Sequence, residues 1–252
     1  MIDLSNQVAV VTGGSRGIGA ATAILLARAG ANVVITYHKN VERAVDVADG
    51  IASQGRECIA LKGKLENMSE CQEIIRAVIR EFKRIDILVN SAGIWEFGEI
   101  GKMTQKDWNR TIAINLTSTF NMCNLVVPFM KKQQYGRIIN ISSTAGQRGE
   151  AFHSHYAAAK GGVIAFTKSL AAELISSGIW VNCVAPGWVF TDMTSNELGK
   201  SKSRLEILKT IPRGKIGTPE EVAGPILFLS SRLADNVVGE VLNVNGGSVL
   251  CG

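Results

Sequence analysis

The stretch "VAVVTGGSRGIGAATAILLARAG", Val8 to Gly30, runs from a short apolar, β-branched segment through glycines 13, 17 and 19 into a segment of helical period. Lacking Cβ atoms, such glycines let the backbone turn tightly and approach a pyrophosphate, whose charge then rests on the unpaired N–H groups at the helix start. Alone, GxxxGxG is a weak signal, because glycine also serves close strand–helix packing. Behind the first strand of a parallel series it becomes a strong sign of a dinucleotide site.

The series follows at once: "NVVITY", "VERAVDVADGIASQG", "CIALKG", "CQEIIRAVIREF", "IDILVNSAG", a helical stretch from about Gln105 to Lys132, "GRIINISS", a helix through "HYAAAKGG", then "WVNCVAPG" and "EVLNVNGG". Short β-branched runs alternating with helical period predict an α/β fold, a parallel sheet of seven strands with crossover helices on both faces. No linker or shift in composition divides the chain, so residues 1–252 are expected to form a single domain. In "TPEE", Thr218 to Glu221, a Thr N-cap, a Pro at the first helical position and a Glu three residues after the cap predict a helix start. The segment 187–215 follows a strand end, contains no strand pattern and is expected to be a substrate-covering lid with short helices of its own.

With 46% hydrophobic residues in 252, the chain can bury a sizeable core. No window approaches the uninterrupted apolar length of a membrane span, and "MIDLSNQVAVV" lacks the basic region and cleavage site of a signal peptide, so a cytoplasmic location and no membrane partner are expected. Cys58, Cys71, Cys123, Cys183 and Cys251 are scattered and form no CxxC, which points to neither a disulfide framework nor a zinc site. The net charge is +5, but basic and acidic residues are interleaved, so nucleic acid is not an expected partner. The exception is "GKSKSRLEILKTIPRGK", Gly199 to Lys215, with six basic residues against the single acid Glu206.

The end of the second strand distinguishes the two dinucleotides: an acid there accepts hydrogen bonds from the free ribose hydroxyls of NAD and repels a 2′-phosphate. Here the segment reads "VVITYHKN", with Tyr37 where the acid would stand, while Arg16 and either His38 or Lys39 can meet a phosphate. NADP is favoured and NAD is the alternative, in which His38 and Lys39 are ordinary loop residues.

With "TGGSRGIG", "NSAG" (Asn90 to Gly93), Asn115 in "NLTSTF", Ser143 in "INISS", Tyr156 and Lys160 as a YxxxK pair, "PGWVFTD" (Pro186 to Asp192) and "NVNGG", the chain resembles the short-chain dehydrogenase/reductase family over Val8 to Gly247. The resemblance implies a Rossmann doubly wound sheet of order 3-2-1-4-5-6-7 and reversible hydride transfer between NAD(P) and a carbonyl or alcohol. It also implies a homodimer or homotetramer paired through the two long helices that carry Asn115 and Tyr156. It assigns the cofactor to Gly13, Ser15, Arg16, Gly17, Ile18 and Gly19, to Tyr37, His38 and Lys39, to Leu65, to Asn90, Ala92 and Gly93, to Tyr156 and Lys160, and to Pro186, Gly187, Val189 and Thr191. Thr191 and the backbone at Val189 would hold the carboxamide, with transfer of the pro-S hydride.

Carbonyl reduction needs a hydride at carbon and a proton at oxygen, and the dinucleotide supplies only the first. Tyrosine is a poor acid or base near neutrality, so a fixed cation is expected to favour its phenolate. Lys160, one helical turn after Tyr156, can do so while holding the nicotinamide ribose, and a shift of about three units would correspond to roughly 4 kcal/mol. Ser143 can donate a hydrogen bond to the substrate oxygen, and Asn115, as in the family, would hold a water that relays protons from Lys160. Taken singly, each has an ordinary structural reading: a turn serine, a capping asparagine, an exposed i,i+4 pair. Their conjunction with the glycine turn favours an acid/base site.

One departure from the family stands out. Lys64 in "ALKGKLENMSE" replaces an Asp that accepts a hydrogen bond from adenine, so either adenine rests on backbone and apolar contacts such as Leu65 or Lys64 turns out to solvent, and weaker adenine recognition without loss of binding is expected. His153 and His155 in "FHSHY" have no identifiable third ligand, so no metal is expected and the pair should shape the pocket or a subunit contact.

Trp95, Phe97, Gln147, Arg148, Glu150, Trp188 and Phe190 follow strand ends on the cofactor side and are expected to line the substrate pocket. Lys200, Lys202, Arg204, Lys209, Arg213 and Lys215 could attract an anionic carrier, acyl carrier protein or coenzyme A, which favours a 3-oxoacyl thioester reductase. The alternatives are a sugar, polyol or other alcohol dehydrogenase on the same scaffold, or a dinucleotide-binding regulator without turnover.

Overall fold

β-Branched runs with no polar alternation are stable only where both faces of a sheet are covered. They form seven parallel strands: β1 (Val8–Thr12), β2 (Asn32–Tyr37), β3 (Cys58–Lys62), β4 (Ile87–Asn90), β5 (Gly136–Ile141), β6 (Ile179–Pro186) and β7 (Val241–Val244). Their order is 3-2-1-4-5-6-7, a Rossmann doubly wound sheet. The computed structural model describes residues 2–250, so Cys251 lies outside the described residues.

The crossovers are α1 (Gly17–Arg28), α2 (Val41–Ala52), α3 (Met68–Phe82), α4 (Gln105–Ile112), α5 (Ser118–Gln133), α6 (Thr144–Arg148), α7 (Ser154–Leu174), α8 (Ser195–Leu198), α9 (Ser201–Lys209) and α10 (Pro219–Leu229). The sheet separates two cores. Ala9 and Val11 of β1 face Leu26 and Ile226 of α1 and α10, whereas Val8 and Val10 face Ile75, Val126 and Ala171 of α3, α5 and α7. The reciprocal capping box of Thr218 and Glu221 starts α10, with Pro219 at its first turn. Segment 187–215 carries α8 and α9.

α4 and α5 are joined by a π turn, Ala113–Thr117, into one helix from Gln105 to Gln133. By length and composition this helix could cross a membrane, contrary to the expectation that no such window exists. Its Met122, Cys123, Val126 and Met130 are instead buried in the core on one face of the sheet. Cys58, Cys71, Cys123 and Cys183 are free, and burial pushes their thiols up to about 11–12.

Because β1 lies between β2 and β4, the connections leaving β1 and β4 diverge and open a crevice above their C-terminal ends. Thr12, the last residue of β1, bridges its floor, its Oγ1 accepting from the N–H groups of Ser91 and Ala92, each at 3.0 Å.

Candidate functional site

A cleft of about 880 Å³ occupies this crevice, and it is lined by the glycine turn, the ends of β2 to β6 and the start of segment 187–215. Gly13 has φ +64°, and a Cβ there would stand 3.0 Å from Ala92 Cα, so only glycine allows the turn to close on the "NSAG" segment. Arg16 is the N-cap of α1, yet no side chain caps this helix, whereas Asn40, Asn67, Thr104 and Thr218 cap α2, α3, α4 and α10. An uncapped helix start that lines a cleft and has no acid in its first turn is suited to an anion, and it fits a dinucleotide pyrophosphate.

Tyr37, His38 and Lys39 line one end of the cleft, with Arg16 and Lys64. Arg43 joins them from the first turn of α2, a residue that the sequence reading passed over because it lies beyond the strand end. Arg43 and Arg16 both pair with Asp192 of segment 187–215, Arg16 at 3.6 Å. Lys64 is exposed and its backbone N–H donates to Glu70 Oε2 at 2.7 Å, while the buried Leu65 offers an apolar surface beside it.

At the other end of the cleft stand Ser143, Tyr156 and Lys160. Ser143 caps α6, its Oγ accepting from the Ala145 N–H at 3.1 Å, and it also shares a hydrogen bond with Tyr156. Lys160 Nζ donates to the Ile141 carbonyl at 2.8 Å and lies 5.8 Å from the centre of the Tyr156 ring. α6 and α7 touch through backbone: a Cβ on Gly146 would come 2.6 Å from the Lys160 carbonyl carbon. Glycine there lets the lysine sit against β5.

The phenol is not depressed as expected; its shift runs the other way. Burial pushes Tyr156 up to about 12, with the Glu150 carboxylate adding to the rise and the Ser143 hydrogen bond opposing it. Burial also lowers Lys160 to about 8. Both groups lie too deep in protein for their charged forms to be favoured.

Other expected residues are placed differently. Asn90 does not line the cleft; its Nδ2 donates to Asn140 Oδ1 at 2.9 Å and ties β4 to β5 beneath it. The side chain of Asn115 lines the cleft but is committed to the loop after β4, its Oδ1 accepting from Ile94 N–H and its Nδ2 donating to the Ile94 and Thr111 carbonyls. A water-holding role would therefore fall to its main chain in the π turn.

Trp95, Arg148, Glu150 and Trp188 line the substrate end. Gln147, Phe97 and Phe190 do not. Gln147 donates to Asn243 Oδ1 at 2.6 Å toward β7, Phe97 stacks on Phe152 outside, and Phe190 is exposed. His153 stacks on Trp95, and His155 is buried against Gly98. Among the described residues no three His, Cys, Asp or Glu side chains converge as a metal site. The basic stretch 199–215 is largely neutralised: Lys200 pairs with Glu197, Lys209 with Glu206, and Arg213 and Lys215 with Glu221, leaving Lys202 and Arg204 as its outlying charges.

The chain is similar to known proteins over nearly its whole length. The family model described as enoyl-(acyl carrier protein) reductase matches residues 13–248. The chain is 44% identical over 251 residues to a 3-oxoacyl-(acyl-carrier-protein) reductase of Synechocystis, covering 99% of this chain and 100% of that protein. It is 40% identical over 246 residues to one of Vibrio cholerae, covering 98% of each. The crystal structure of gox2181 superposes with a TM-score of 0.94 at 33% identity, over 98% of this chain and 97% of the other.

Proposed function

The chain belongs to the short-chain dehydrogenase/reductase family, and from that premise we propose that it reduces the 3-oxo group of an acyl thioester to a hydroxyl with NADPH. It is an oxidoreductase that uses a nicotinamide dinucleotide. The observation that carries the finer reading is the convergence of Ser143, Tyr156 and Lys160 on the cleft that also holds the uncapped helix start. Relatives of nearly equal length, named as 3-oxoacyl-(acyl-carrier-protein) reductases, support the thioester.

When bound, the dinucleotide supplies the hydride. The protein's own residues supply the rest. The α1 N-terminus receives the pyrophosphate, Leu65 supports the adenine, and Pro186, Gly187, Val189 and Thr191 flank the nicotinamide end. Arg16 and Arg43, with His38 and Lys39 nearby, meet the 2′-phosphate, which favours NADP over NAD. Ser143 donates to the substrate oxygen as charge develops there. Tyr156, still protonated with a pKa of about 12, then gives its proton to that oxygen, which suits the reductive direction. Lys160 holds the ribose and restores the proton.

A homodimer or homotetramer paired through α5 and α7 is part of the proposal, supported by Phe120, which is exposed on α5 and meets Phe166 of α7 edge to face. A cytoplasmic location accompanies it, and neither nucleic acid nor membrane has a part.

Acetoacetyl-CoA with NADPH should give rapid turnover, NADH much less, and a panel of sugars and simple alcohols little. No thioester reduction, or a clear NADH preference, would count against the reading. With most lid cations already paired, rising salt should weaken activity only gently. Lys160 gives a second test. Below about pH 8 it is an ammonium and above it an amine, so NADPH affinity should fall as pH rises through 8, by up to about tenfold per unit. Fluorescence titration between pH 7 and 9.5 reads this directly, and Lys160→Met should remove the slope.

A further inference from the structure

We propose that the substrate end of the cleft admits only a short acyl chain, and that Trp95 sets the limit. The inference rests on the thioester reading. A thioester joined to coenzyme A or a carrier protein must leave the cleft by its mouth, since the carrier is too large to follow. In this proposal the substituent on the other side of the 3-oxo carbon lies away from that mouth, against the wall formed by the half-buried Trp95, Glu150 and Trp188.

That end is braced from three segments of the chain. The Trp95 indole stacks on His153 at 4.4 Å with 7° between the planes, and it meets Trp188 edge-on at 5.6 Å. Its Nε1 donates to Glu150 Oε2 at 3.2 Å. His153 is itself fixed, its Nδ1 3.0 Å from the Ala151 carbonyl and its ring edge-on to Phe97. An indole held by a stack, an edge contact and a hydrogen bond cannot swing aside without losing all three.

An acyl chain in an open apolar channel would gain about fourfold in affinity for each methylene buried. Here an added methylene meets the fixed indole, and beyond it the Glu150 carboxylate, whose free oxygen lies 3.8 Å from His153 Nδ1. Covering that carboxylate with hydrocarbon would strip water from a charge and offer no hydrogen bond in return. Shape and electrostatics therefore oppose length independently.

The test compares kcat/KM for acetoacetyl-CoA and 3-oxodecanoyl-CoA, with NADPH, in the wild type, Trp95→Ala and Glu150→Gln. The wild type should favour the short thioester by about tenfold or more, because the longer chain meets the fixed indole and takes water from the Glu150 carboxylate. Trp95→Ala should lower that preference by at least tenfold, and Glu150→Gln, which keeps the size and removes the charge, by a smaller factor. If Trp95→Ala fails to fold, Trp95→Leu takes its place with the same expectation. Equal or better use of the long thioester by the wild type, or a preference unmoved by the Trp95 substitution, would overturn the inference and leave the thioester reading standing. Failure to reduce either thioester would overturn both.

Discussion

Tyr156→Phe should lower kcat by about 10²–10⁴-fold while leaving NADPH affinity nearly unchanged. The ring is buried, so phenylalanine fills the same volume and leaves no cavity. Only the hydroxyl is lost, and with it the proton for the substrate oxygen. Dinucleotide contacts elsewhere persist: the α1 N-terminus is remote from the change, and Lys160 keeps its hydrogen bond to the Ile141 carbonyl. Ser143 loses one partner but remains fixed as the cap of α6 through the Ala145 N–H. Steady-state rates with acetoacetyl-CoA, set beside an NADPH fluorescence titration, separate the two quantities. Residual turnover near the wild-type level would remove Tyr156 from the role of proton donor.

Arg16→Ala combined with Arg43→Ala should convert NADPH preference into indifference. A hydrogen bond to a charged group contributes about 1.5–3 kcal/mol, so each arginine accounts for roughly ten- to hundredfold in NADPH affinity. NADH, which has no 2′-phosphate, should bind the double variant about as well as the wild type. The ratio of the two dissociation constants is the measurement, and a ratio unchanged by the double substitution would reassign the phosphate to His38, Lys39 or Lys64. Asp192 refines the expectation. It pairs with both guanidinium groups when no phosphate is present, so Asp192→Asn should tighten NADPH by removing a competitor.

The sheet order and the glycine turn were legible in the sequence because both are written in local patterns: apolar runs of strand length, helical period between them, and glycines spaced over one turn. Tyr156 and Lys160 were legible for the same reason, since four residues along a helix fix their relation. What could not be read depends on residues far apart in the chain. Arg43 meets Asp192 across 149 positions. Asn90 looked like a cleft residue but turns downward to Asn140, and Gln147, between two cleft residues of α6, points to Asn243. Titration was the least legible of all. The spacing of Tyr156 and Lys160 suggests mutual attraction, while the burial of both, which only tertiary packing creates, drives each toward its neutral form.

The bare start of α1 has a thermodynamic corollary. Its N–H groups have no side-chain cap, and a bound anion would pair them. Any ligand that binds the folded chain alone raises its stability by RT ln(1 + [L]/Kd), about 2.7 kcal/mol at a hundredfold excess over Kd. A share of this protein's resistance to unfolding thus resides in the surrounding dinucleotide supply and not in the polypeptide, and the lifetime of the folded chain will follow the concentration of that pool.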